Sequence, residues 1–165
     1  YVMMLEDQLA RYPFFGKVGA FGIRPGHPRS VIESLSYSAS LLSDPMTLLC
    51  MFPQGDLIPY ARRPLTYQRG LERIVRMHGG PVTLLALAMR CEQGGERLPD
   101  AYFLMGNPRR AASGGFPSLD CLAREQEELM DRLDRAMASG EEGRAFSRAG
   151  AGARGPAAVH SEVAR

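Results

Sequence analysis

Four short apolar runs, at 18–23, 47–52, 82–89 and 101–106, set the limits on what this chain can fold into. Each has the length of a strand and is too short for an ordinary buried helix. The runs TLLCMF at 47–52 and VTLLALAM at 82–89 carry no charge, the pattern of strands covered on both faces in a parallel sheet. Helical patterns lie among them. Leu5, Leu9 and Tyr12 share one face over 3–12 and predict a first helix. Val31, Leu35, Ala39 and Leu42 predict a second. Ser30 and Glu33 stand at capping-box spacing at its start, and Asp44-Pro45 ends it. Leu71, Ile74 and Val75 mark a third, closed by His78-Gly79-Gly80. This order predicts an α/β fold with a largely parallel central sheet flanked by helices. It also predicts that the loops at 24–29 and 53–56 emerge at one edge of that sheet.

Past the last run the pattern changes. Leu119, Leu122, Leu129, Leu133 and Met137 recur at helical spacing over 118–138, and packing on a sheet is the reading favoured for that amphipathic helix. From Ser139 onward the chain is Gly, Ala, Ser and Arg with almost no large apolar residue, so 139–165 is expected to be disordered. The organisation expected is a domain over 1–116, the helix over 117–138 and the tail. The sequence opens on Tyr1 inside a helical pattern, so further residues are expected ahead of it.

Charge excludes one class of function. Lys+Arg number 20 and Asp+Glu 18, a net +2, which gives no electrostatic footprint for nucleic acid. Lys17 is the single lysine, and the arginines are scattered rather than gathered. Cys50, Cys91 and Cys121 have no paired metal-ligand spacing, and an odd, sparse count fits a reducing compartment. No apolar run is long enough to span a bilayer.

Three blocks in a fixed order carry a family resemblance: GAFGIR at 19–24, FPQG at 52–55 and the apolar run at 82–89. Together, over about residues 1–106, the chain resembles the glycerophospholipid acyltransferases, the group that includes lysophosphatidate acyltransferase. FPQG is similar to the family's Phe-Pro-Glu-Gly block. The resemblance implies an enzyme of phospholipid biosynthesis, peripheral on the cytoplasmic side of a membrane. It would move a fatty acyl group from acyl-CoA or acyl-carrier protein to a hydroxyl of a lysophospholipid or other glycerolipid. It implies no metal and no cofactor. Arg24 and Arg29 become candidates for the acceptor phosphate, and Phe52, Pro53, Gln54 and Gly55 for the glycerol.

The family's catalytic block is a His, four residues, then an Asp, because a hydroxyl needs a base and the base needs an orienting carboxylate. Five positions after His27, His78 and His160 stand Ile32, Thr83 and Arg165, so the chain has no such pair and is expected to be inactive alone. The block is expected upstream of Tyr1. Other departures are Gln54 where the family has Glu, Pro25 near its usual arginine position, and Ala86 about where it has proline. Structural alternatives stand beside each assignment. Arg24 and Arg29 serve equally well as solvated loop arginines, whereas for Phe52–Gly55 the family match favours the glycerol site over a tight strand-to-loop turn. Arg62 and Arg63 read as surface charges, His27 as a loop residue and His78 as a helix-end residue. The competing function is a non-catalytic lipid-binding or scaffold protein that keeps the fold.

Overall fold

The computed structural model describes residues 1–93, 99–139, 146–151 and 158–163, those from 147 onward in backbone only. In chain order the elements are β1 (Val2–Leu5), α1 (Glu6–Arg11), α2 (Phe14–Lys17), β2 (Ala20–Ile23), α3 (Pro28–Leu41), α4 (Gly70–His78), β3 (Val82–Leu84), β4 (Leu87–Glu92), β5 (Asp100–Met105), β6 (Arg109–Ala111), α5 (Leu119–Ala138), β7 (Ser147–Ala151) and β8 (Ala158–Val163). The protein is mixed α/β, with short strands in small sheets. It divides into two compact units, Tyr1–Arg62 with Thr66–Val82 and Arg110–Leu119, and Arg63–Leu65 with Thr83–Arg109 and Asp120–Arg165.

The first unit is built on parallel pairing. β1 pairs β2 in parallel, Val2 opposite Ala20 through Leu5 opposite Ile23. On its other side β1 meets Cys50 through a parallel bridge at Val2. The Cys50 amide donates to the Tyr1 carbonyl (2.8 Å) and the Met3 amide to the Cys50 carbonyl (3.2 Å). Met3, Leu35, Ala39 and Ile74 form the core, with Phe21, Ile23, Leu49 and Met51 packed on it. Sheet residues of one face thus meet α3 and α4, the burial that drives this unit.

β1 corrects the expected helix over 3–12. Its four apolar residues precede Glu6, and the helix begins only there. The start of α3 is also corrected. Pro28 is its first residue, so Ser30 lies inside the helix and Glu33 pairs with Arg29 instead of capping. The stripe itself holds, with Leu35 and Ala39 buried and Val31 and Leu42 packed on the core. Gly79 ends α4 at φ 76, a left-handed cap that suits glycine. The run at 47–52 pairs only at Cys50 and is covered on one face. Leu49 and Met51 point into the core while Leu48 and Phe52 are exposed.

The second unit is largely antiparallel. β4 and β5 pair antiparallel, and β8 then β7 extend the sheet in the order β4-β5-β8-β7. The run at 82–89 is split between β3 and β4, and Leu85, Leu87 and Met89 are exposed, so it is not covered on both faces. Ala88, Tyr102 and Leu104 are buried, as are Ala123, Leu129, Met130 and Leu133 of α5. The expected disordered tail falls partly outside the described residues. Its described parts are Phe146, buried edge-on against Tyr102 with ring centroids 5.3 Å apart, and strands β7 and β8.

Candidate functional site

The parallel pairings of β1 decide where the candidate residues go. β2 lies on one side of β1 and Cys50 on the other, all running the same way. The segments that follow them therefore leave from one edge: Glu6 after β1, Arg24 after β2, and Phe52 to Gly55 after the bridged segment. The two loops singled out from the sequence share that edge, separated by a strand that sequence reading had placed in a helix.

Arg24 is not idle there. Its Nη2 donates to Glu6 Oε1 at 2.8 Å, with about half of each side chain open to water. The contact depends on Gly22. A Cβ at that position would sit 3.2 Å from both the Cα and Cβ of Glu6, so glycine lets the start of α1 lie against β2. Gly26, at φ 83, then turns the chain toward α3. Arg29 lies in the first turn of α3 with its side chain 92% exposed, and its Nε donates to Glu33 at 2.9 Å. Arg29 is thus a solvated helix residue, while Arg24 is anchored at the strand edge.

Phe52 to Gly55 form a tight turn. The Gly55 amide donates to the Phe52 carbonyl (3.1 Å), with Pro53 at the turn position that favours its fixed φ. Gly55 has φ 71, and a Cβ on it would meet Gln68 Cγ at 3.0 Å. The Gln68 backbone N–H donates to the Pro53 carbonyl at 2.7 Å and so clasps the turn from outside. Proline and glycine are both accounted for by backbone geometry. Phe52, 63% exposed, and half-buried Gln54 are the side chains this turn presents.

Glu6 and Gln68 were not found by sequence reasoning. Glu6 was hidden inside the expected helix, and Gln68 lies thirteen residues beyond Gly55 in a stretch without regular pattern. Of the secondary candidates, Arg63 belongs to the second unit, where it lies 3.8 Å from Asp131. Arg62 is exposed in the first unit. His27 precedes α3 without capping it through its side chain, and His78 ends α4. A shallow cleft of about 320 Å³ between α3 and α4, lined by Ser36, Ser40, Ser43, Met77 and His78 among others, lies at the far end of α3 from Arg29. No group of three His, Cys, Asp or Glu among the described residues is placed to hold a metal ion, and among them no helix is long and apolar enough to cross a membrane. Comparison with protein-family models, with curated proteins and with solved structures finds no match to this chain.

Proposed function

We propose that this chain is the acceptor-binding part of a glycerophospholipid acyltransferase, with a largely parallel sheet at its centre. The observation that supports the reading is the shared edge at which Arg24 and the Phe52–Gly55 turn leave parallel segments. A guanidinium fork suits phosphate oxygens, and the turn offers the Gln54 amide and the Phe52 ring to a glycerol with its acyl chain. The donor is acyl-CoA or acyl-carrier protein, the acceptor a lysophospholipid or related glycerolipid at the cytoplasmic surface of a membrane, and nucleic acid is not a partner. Arg24 carries the phosphate contact and Arg29 contributes little, because Arg29 is held in water on α3. A phosphate binding at Arg24 must share it with Glu6.

The second reading is a lipid-binding or scaffold protein without catalysis. It is favoured by the absence of an Asp five positions after any of the three histidines. Acceptor binding tests what both readings share. Titrate the chain with lysophosphatidate and with the monoacylglycerol that lacks its phosphate, for wild type, Arg24→Ala and Arg29→Ala. Losing a charge-assisted contact costs about 1.5–3 kcal/mol, one to two decades in affinity. Arg24→Ala removes the preference for the phosphorylated acceptor and Arg29→Ala keeps it. Unchanged preference in both variants and in the double variant rejects the site. Thioester cleavage by the chain with lysophosphatidate present would overturn the expectation that it is inactive alone, and a His, four residues, then an Asp encoded ahead of Tyr1 would separate the enzyme from the scaffold.

A further inference from the structure

The segment from the end of α1 through α2 carries a surface that the proposed site does not use. Residues 11–18, RYPFFGKV, are all exposed, and four large apolar side chains stand together within them. Phe14 is 65% and Val18 58% exposed, and Tyr12 and Phe15 are also open. The three rings are not splayed at random. Tyr12 and Phe15 meet edge-on with centroids 6.3 Å apart, and Phe14 and Phe15 at 6.0 Å. They form one aromatic knob, and the Arg11 guanidinium lies 5.5 Å from the Tyr12 ring centroid. A contiguous aromatic patch of this kind marks a contact surface.

Charge selects its occupant. Arg11 and Lys17 flank the knob, and no Asp or Glu occurs between Asp7 and Glu33. The other two cations of that interval, Arg24 and Arg29, are already matched by Glu6 and Glu33. The knob therefore joins three exposed rings to two basic residues. That arrangement fits the boundary of an anionic bilayer, where aromatic rings sit at headgroup depth and basic side chains meet lipid phosphates. A second copy of the same surface would bring like charges together.

We propose that residues 11–18 dock the protein on an anionic lipid surface, with Phe14, Phe15 and Val18 entering the interface and Arg11 and Lys17 binding headgroup phosphates. This refines the membrane part of the reading above. The knob precedes β2 at the amino ends of β1 and β2, and the loops after β2 and after Cys50 leave from the carboxyl ends.

The test is co-sedimentation of the full chain with vesicles of phosphatidylcholine alone and with roughly a third phosphatidylglycerol added. Wild type binds the anionic vesicles and not the neutral ones. Phe14→Ala with Phe15→Ala lowers binding about tenfold or more, and Lys17→Glu lowers it about fivefold or more. Because the chain has no tryptophan, Phe14→Trp is a clean reporter, and its emission shifts to the blue on anionic vesicles only. This reporter and Lys17→Glu decide the matter even where the double alanine variant folds poorly. Equal binding to both vesicle types, wild-type binding by the variants, or no vesicle binding overturns the proposal. So does self-association in sedimentation velocity that Phe14→Ala relieves, which assigns the knob to a second copy. Acceptor discrimination at Arg24, measured with a monomeric short-chain acceptor, is independent of docking. Its survival without vesicle binding rejects the docking surface alone, and its loss with docking intact rejects the acceptor site alone.

Discussion

The two units are held together by different means. In the first, β1 joins β2 and Cys50 by backbone hydrogen bonds, apolar side chains fill the face toward α3 and α4, and ion pairs lie at the surface. Ser34 and Ser38 are buried and spend their hydroxyls on carbonyls. In the second, α5 acts as a rail of acceptors. Asp134 takes Arg90 at 2.6 Å, Glu125 takes Arg109, Glu127 takes the Leu65 amide, and the Gln126 amide donates to the Leu87 carbonyl at 3.1 Å. Asp134 and then Glu92 hold the Arg90 guanidinium and raise its pKa although desolvation opposes this. The lesson is economy at the edge. A unit tied by ladders and small hydroxyls leaves Arg24 beside one carboxylate at the sheet edge, half open to water, whereas Arg90 of the second unit is held by both Asp134 and Glu92.

Substitutions that weigh the two designs against each other follow in order of size. Leu133 has no exposed surface, and Leu133→Ala is expected to cost about 2–5 kcal/mol, read by urea unfolding. Little change there would mean that α5 is held by its polar rail and not by its apolar stripe. Gly22→Ala comes next, at about 1–3 kcal/mol, because the new methyl meets Glu6 backbone that has no flexible end to yield. It should also weaken any phosphate preference carried by Arg24, and a neutral result would separate the two. Asp134→Asn is expected to cost about 1 kcal/mol, with the loss shrinking in high salt. Glu33→Gln is the smallest, a few tenths of a kcal/mol at most, since both partners are solvated. Equal effects of Asp134→Asn and Glu33→Gln would erase the distinction between the units. Glu6→Gln tests function instead. Removing the carboxylate that competes for Arg24 should tighten the phosphorylated acceptor by about threefold, and weaker binding would make Glu6 a positioning residue.

Helices were the legible part of the sequence. The Leu35–Ala39 stripe, the glycine cap at Gly79 and the long pattern of α5 are periodic over many residues, and periodicity is what sequence shows best. β1 was illegible for a physical reason. Val2 to Leu5 are all apolar and show no alternation, and Leu5, Leu9 and Tyr12 fall at helical spacing. The shared edge of the two loops was foreseen from strand order, but the strand that creates it was not. Apolar content also misled. The runs at 47–52 and 82–89 were read as doubly covered, yet Phe52, Leu85 and Met89 are exposed. β7 and β8 lie in a stretch whose Gly, Ala, Ser and Arg composition gives little strand signal.

The hydroxyl of Ser34 has a consequence for how this protein keeps to itself. β2 has one strand neighbour, β1, among the described residues, and an open strand invites pairing by a foreign chain. Ser34 donates to the Gly22 carbonyl at 2.9 Å, so α3 is stitched to this outer strand. A hydroxyl in the helix thereby guards the sheet against templated aggregation. A Ser34→Ala protein that folds with near-normal stability should still clump sooner on prolonged heating, which makes this one oxygen a determinant of shelf life rather than of shape.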